Sequence, residues 1–409
     1  MNPSASLRPV VPILVGAAVL MTLSMGIRQS LGLFMQPLTR DVAITVSDFT
    51  LAIAVQNLVW GFLQPVTGAL AVRTGFRPIL AAGAVLFTGG LAVLAAAQGF
   101  VMVMLGAGVM MGTALACVAA AMALSVASRA VPAERRSFVL GAVSAAGSLG
   151  AFLAAPIGQT MSVEYGWRMG LAAFVVLCLT MLPAAWAAGR VDRIAEPRAA
   201  GPQLGDTTFA VALRTALARP AFMVMTGAYF VCGLQLVFLT THLPSYLAIC
   251  QLDPMLSAQA LGVIGCFNMM GSLFFGWAGG RWSKEGLLGL IYVLRSVALG
   301  CYFALPPTPT TTLVFAAVMG FLWLGVAPLI AGAVVEMFGL RWQAMIQGLA
   351  FMSHQLGSFI GAFGGGVLFD WLGSYDLAWR LAVAGGLTAG VIQLLFALPR
   401  ARPPKLAAT

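Results

Sequence analysis

Arg28 is the side chain in this sequence whose placement most demands a chemical reason, because it sits inside the apolar stretch LSMGIRQSLGLF. A guanidinium stays charged and presents a planar fork of donors that matches a carboxylate. At mid-membrane depth such a charge costs roughly 2.5 kcal/mol or more, so it needs a partner. No Asp or Glu lies in the middle of an apolar stretch to neutralise it, which favours an anionic ligand over the plainer reading of bonds to backbone carbonyls. His354, in MSHQLGSF, can hydrogen-bond a substrate or carry a proton; a satisfied bond between helices is the alternative. Gln56, Asn57, Gln235, Asn268 and Gln355 are further polar groups on apolar stretches, and they either line a wet cavity or tie helices together. Neighbours on a helix point about 100° apart, so Arg28 and Gln29 cannot share one face, and Arg28 is the better candidate. His242, Tyr229 and Trp323 are candidates for an outer vestibule, and Trp60, Trp323 and Tyr229 for walls of the cavity itself, with a core or lipid-facing role beside both. Arg295, in IYVLRSVALG, reads first as a snorkelling or helix-bonding arginine.

The elements that must hold these groups follow from composition. The chain has 409 residues, 60% hydrophobic and 8% charged, and a mean hydropathy of +0.96. That is the composition of a polytopic membrane protein, because a soluble chain of this length needs far more charge. Twelve apolar stretches can be drawn, at 10–38, 49–72, 78–98, 101–127, 137–161, 169–189, 221–247, 257–280, 286–305, 311–335, 342–368 and 379–398. The first is too long for the core of a signal peptide and lacks a cleavage site. The net charge of +10 does not point to nucleic acid. Most Lys and Arg fall on one side of the membrane if both termini are cytoplasmic, whereas Arg40, Arg168 and Arg380 fall on the other. This bias places the termini inside, in a bacterial inner membrane. The six cysteines show no metal-ligand spacing, and there is no phosphate loop or paired mid-membrane carboxylate. Neither an enzyme, a metal nor a cofactor is expected.

An internal repeat organises the stretches. Gly26 and Pro37 recur as Gly233 and Pro244, and SLGAFLAAPIG recurs as QLGSFIGAFGG, both at an offset of 207. Gly68 and Arg73 recur as Gly276 and Arg281, Trp167-Arg168 as Trp379-Arg380, and Gln235 stands at the position of Arg28. The expected organisation is two six-helix halves, 1–189 and 221–409, joined by a polar cytoplasmic linker at 190–220 whose end, TTFAVALRTALARP, forms a short amphipathic helix. Such parallel repeats place the substrate between the halves near the bilayer midplane.

The segment GALAVRTGFR, with Gly68, Leu70, Ala71, Arg73, Gly75 and Arg77, resembles the loop between spans two and three of major facilitator superfamily transporters, except that Val72 stands where that family has an aspartate. The second copy keeps Gly276, Gly279, Arg281 and Lys284, with Gly280 at the acidic position. The resemblance implies an all-α membrane fold of twelve transmembrane helices (the MFS fold), with Gly68, Arg73, Arg77, Gly276, Arg281 and Lys284 in gating loops. Within the superfamily, GIRQSLGLFMQPL, AIAVQNLVWGFLQPVTGAL and HQLGSFIGAFGGGVLFDWLGSYDLAW are similar to the bacterial monocarboxylate-transporter-like (oxalate/formate and monocarboxylate porter) group. The Asp and Arg on span eight of the eukaryotic relatives do not carry over, since Asn268 and Ser272 occupy that region. GAFLAAPIG only partly resembles the antiporter motif, lacking its Gly-Pro pair. The implied function is a secondary active transporter of a small organic anion, a monocarboxylate first, working by alternating access with protons as a coupling candidate. The expected partners are substrate and lipid bilayer, without nucleic acid, and the expected state is a monomer. An exporter of drugs or amphipathic metabolites and a non-transporting membrane sensor are the alternatives.

Overall fold

The computed structural model describes residues 8–194 and 207–397, and these residues contain helices and no strand. Arg198, Arg400, Arg402, Lys405 and the middle of the linker lie outside the described residues, as does the side chain of Pro244. Eleven helices are long and apolar enough to cross a membrane. They are α1 (Val11–Asp41), α2 (Val46–Thr74), α3 (Phe76–Ala95), α4 (Phe100–Ala130), α5 (Ala133–Tyr165) and α6 (Trp167–Arg193), then α7 (Pro220–Ile249) and α8 (Pro254–Ala278), α9 (Lys284–Ala304), α10 (Pro309–Phe338) and α12 (Asp376–Ala397). The remaining long helix, α11 (Gln343–Leu372), has 30 residues and is less apolar because it carries Gln343, Gln347, Ser353, His354, Gln355 and Ser358. The described chain is thus the all-helical architecture expected, with helix ends a few residues from those of the apolar stretches. A helix over Phe209–Ala218, started by the Thr208 side chain, leads into α7.

Glycine sets the packing within each half. A Cβ on Gly150 of α5 would collide with the Thr22 carbonyl of α1, and one on Gly26 with the Gly150 carbonyl. The repeat-related glycines do the same work elsewhere: Gly233 of α7 lies against the His354 carbonyl of α11, and Gly357 of α11 against the Phe230 carbonyl. These close crossings need the absence of side chains, which is why the pattern survives in both copies. The repeated SLGAFLAAPIG segment therefore holds α5 to α1, as its counterpart holds α11 to α7.

The α2–α4 contact explains several polar residues. In α4 a π-helical turn covers Met104–Met110, and the ladder breaks at Ala119, where ψ is −161°. Such irregular turns free backbone acceptors. Gln56 Nε2 donates to the Ala107 carbonyl at 2.6 Å, while Gln64 Nε2 and Thr67 Oγ1 donate to the Ala116 carbonyl at 2.9 and 2.7 Å.

The halves meet through α2 against α11 and α5 against α8. The linker side is the one where α6 ends and α7 begins. In the linker-side portions of these pairs, Gly68 faces Met345 N at 2.5 Å, Gly348 faces Pro65 N at 2.7 Å, and Gly141 faces the Ser272 carbonyl at 2.7 Å, each measured to the Cβ it lacks. Arg129 at the end of α4 donates to the carbonyls of Leu340 and Arg341 at 3.3 and 3.1 Å. Gln343 donates to Ser128 Oγ at 2.9 Å. The molecule is closed on its linker side.

Candidate functional site

Two residues past Gly26, on the stretch that the α1–α5 crossing holds in place, Arg28 projects toward α2. Its Nη2 donates to Asn57 Oδ1 at 2.5 Å, and its guanidinium carbon lies 5.1 Å from the centre of the Trp60 ring. Trp60 is itself fixed by its indole N–H, which donates to Gln64 Oε1 at 3.0 Å. The Arg28 Nε is buried and has no hydrogen-bond partner. One arm of the fork is committed, and another is free.

From the other half, α11 supplies Phe351, His354 and Gln355. Gln355 Nε2 donates to the Asn57 carbonyl at 3.0 Å, joining the halves at mid-depth. The Phe351 ring lies 4.5 Å from Trp60 and 5.7 Å from His354. The His354 ring packs 4.5 Å from Tyr229 of α7, with Nδ1 3.4 Å from Gln355 Oε1 and 3.4 Å from Ser358 Oγ. A continuous polar path thus runs Arg28, Asn57, Gln355, His354, walled by Trp60, Phe351 and Tyr229. Tyr229 belongs to this centre, one turn before the Gly233 crossing, and not to an outer vestibule.

Other groups singled out in the sequence lie apart from it. Gln56 serves the π-turn of α4. Gln235 is buried and donates to Ser296 Oγ at 3.0 Å and the Ala382 carbonyl at 2.8 Å, so its side chain turns toward α9 and α12 although its position repeats that of Arg28. Asn268 Oδ1 accepts from Leu324 N–H at 2.8 Å, where α10 loses its helical ladder over residues 322–325. Trp323 stands in that same break. His242 is buried between the Ala362 carbonyl, 2.9 Å from Nε2, and the Tyr375 hydroxyl, 3.2 Å from Nδ1. For Gln56, Gln235, Asn268 and His242 the physical reason is the same: a buried polar group is held by an acceptor or donor within reach of its own packing.

The loop motifs sit at the linker-side closure. Gly68 and Gly276 make inter-half contacts, and Val72, at the missing aspartate, packs against the core of the C-terminal half. Arg77 stacks on Trp186, 3.9 Å away, and Arg281 on Trp277, 4.1 Å away. Arg73 is exposed. Lys284 pairs with Glu336 inside its own half. Asp192 of α6 accepts from the N–H groups of Phe76 and Arg77 at 2.8 and 2.9 Å, capping α3 with an acid the loop itself lacks. Sequence reasoning missed Asp192, Phe351 and the Arg129 contact; an apolar ring and two residues at helix ends carry no signal of their own.

Charge is distributed unevenly. Every Asp and Glu among the described residues lies in a loop or within a turn or so of a helix end, whereas Arg28 and Arg295 are cations at mid-span. The molecule is therefore a polytopic helical protein of two packed halves with a cationic, aromatic-walled centre between them, the arrangement of a membrane carrier. The signature of the Major Facilitator Superfamily matches residues 16–362, and the chain belongs to that family. It is a transporter and not an enzyme. It is 25% identical over 353 residues to monocarboxylate transporter 13 of Rattus norvegicus, covering 86% of this chain and 78% of that protein. It is 27% identical over 403 residues to monocarboxylate transporter 11 of Mus musculus, covering 93% and 85%. Among solved structures, the proton:xylose symporter XylE superposes with a TM-score of 0.72 at 13% identity, covering 95% of this chain and 96% of that one. FucP in the outward conformation superposes with a TM-score of 0.73 at 14% identity, covering 94% and 99%. These likenesses to solved structures speak to the fold.

Proposed function

We propose that this protein is a secondary carrier for a small organic anion, a monocarboxylate first, that works by tilting its two halves about the centre described above. The observation that carries the reading is Arg28: a guanidinium at mid-span with a buried, unpartnered Nε and no carboxylate beside it. A carboxylate entering the centre would take up the free arm, and charge-assisted bonds of this kind are strong in a water-poor setting. Asn57 orients the fork, Trp60 packs beside it, and Gln355 and His354 offer further hydrogen bonds from the opposite half. The monocarboxylate transporters among the relatives support the substrate class. We place the linker side in the cytoplasm of a bacterial inner membrane, because Arg73, Arg77, Arg129, Arg135, Arg136, Arg190, Arg193 and Arg219 gather there. Each half, with its own apolar core, moves as a unit in this reading, and the carrier acts as a monomer, with His354 as the candidate for proton coupling.

The test is thermal stabilisation of the purified protein by formate, lactate, oxalate, succinate, lactamide and tetraphenylphosphonium, with wild type and Arg28→Gln side by side. A ligand that binds only the folded state raises the melting temperature with its concentration. Carboxylates are expected to stabilise wild type and not the variant. Equal stabilisation of both by the neutral or cationic compounds would overturn the reading in favour of export of amphipathic compounds.

A further inference from the structure

We propose that Arg295 is a specificity-determining residue of this carrier: its sealed charge, one side-chain layer behind the centre, raises affinity for anions without touching them. The inference rests on the anion reading of the site. Arg295 lies midway along α9 and is completely buried, at 0% exposure. Its guanidinium carbon is 5.5 Å from the centre of the Tyr292 ring, and the group lies against the Cys232 thiol of α7. The expected bond between helices comes down to the Cys232 thiol, a weak partner. The side chain does not snorkel to an interface, and none of its three nitrogens meets an oxygen acceptor among the described residues.

What stands between Arg295 and the centre is thin. Cys232 is one turn along α7 from Tyr229, whose ring packs on His354. Along the side chains described, His354 is reached from one arginine in each half, from Arg28 through Asn57 and Gln355 and from Arg295 through Cys232 and Tyr229, with the described acids all near helix ends. A buried charge is screened far less than one in water. An anion in the centre feels both arginines, binding Arg28 directly and Arg295 through the Tyr229–His354 layer. Arg28 supplies contact and geometry; Arg295 supplies selection by charge. A unit charge one layer away, at an effective dielectric of about 20, changes an anion's affinity roughly tenfold.

The experiment measures, by titration calorimetry, the binding of lactate and of its neutral amide, lactamide, to wild type, Arg295→Met, Arg295→Lys and Cys232→Asp. Arg295→Met removes the charge at similar volume. Cys232→Asp neutralises the guanidinium in place, and serves if the first variant does not fold. The expected result is a roughly tenfold loss of lactate affinity in the Met and Asp variants, no change for lactamide, and lactate affinity restored in Arg295→Lys. Lactate affinity within twofold of wild type in a folded Met or Asp variant would overturn the proposal, as would equal weakening of lactate and lactamide, the mark of disturbed packing. Arg28→Gln separates the two readings. If it abolishes lactate binding while Arg295→Met does not weaken it, only Arg295 is misassigned; if wild type binds no carboxylate of the panel, the anion site falls and this inference with it.

Discussion

Replacing Gly276 by valine should open the linker-side seam. A Cβ at this position would meet Gly141 N at 2.9 Å and the Ser137 carbonyl at 3.0 Å, with the Gly141 Cα nearer still. All three are backbone atoms, so no side-chain rotation can make room, and α5 and α8 must separate. Overpacking of this kind costs about 1–3 kcal/mol. Applied to one of two conformations, that corresponds to a shift of roughly 5- to 150-fold in their ratio. The assay is pulsed electron–electron resonance between spin labels at Glu134 and Arg281, both exposed at the linker-side ends of α5 and the α8–α9 loop, in a background lacking the native cysteines. The expected outcome is a longer distance populated in Gly276→Val and a smaller shift for Gly276→Ala. A distribution identical to that of the unsubstituted protein, from a folded variant, would refute the claim that this contact holds the halves together.

Four further outcomes follow from the geometry. Arg129→Met removes two charge-assisted bonds to carbonyls of the other half, and should move the same label pair apart, as Gly276→Val does. Trp60→Leu removes the ring beside Arg28 and should weaken carboxylate binding by about 2- to 30-fold in calorimetry, from a cation–π contribution of about 0.5–2 kcal/mol. His354→Gln should leave a carboxylate bound in calorimetry and abolish the stimulation of uptake by an inward proton gradient in liposomes; undiminished stimulation removes His354 from coupling. Lys284→Met should lower stability by no more than about 1 kcal/mol in thermal melts, because its partner Glu336 is 55% exposed and can be solvated instead.

The long apolar helices were legible because crossing a hydrocarbon core imposes a minimum run of apolar residues. The repeat was legible because Gly26, Gly150, Gly233 and Gly357 each answer a close backbone approach that any side chain would block. Arg28 stood out because a charge in that setting needs a reason. What sequence could not supply was direction. Gln56 and Asn57 are adjacent and chemically alike, yet rotation by about 100° sends one to the π-turn of α4 and the other to Arg28. Gln235 shares the repeat position of Arg28, but the Ser296 hydroxyl and the Ala382 carbonyl draw it the opposite way. Asn268 serves a break in α10 that the apolar run around it does not announce. Phe351 reads as one apolar residue among many, and only the approach of α2 to α11 makes it a wall of the centre.

The bonds from α2 to α4 also give the molecule a grain. Along one flank α2 is stitched to α4 by Gln56, Gln64 and Thr67, each donating to a main-chain carbonyl that cannot move away without unwinding its helix. Along the other flank it meets α11 through close glycine and proline contacts and the Trp60–Phe351 ring pair, with the Gln355 bond as the one hydrogen-bonded rung described there. Strain placed on α2 will therefore part the weaker flank first. The fault plane of this molecule runs between α2 and α11, and the Gln355 bond is the one described rung that spans it.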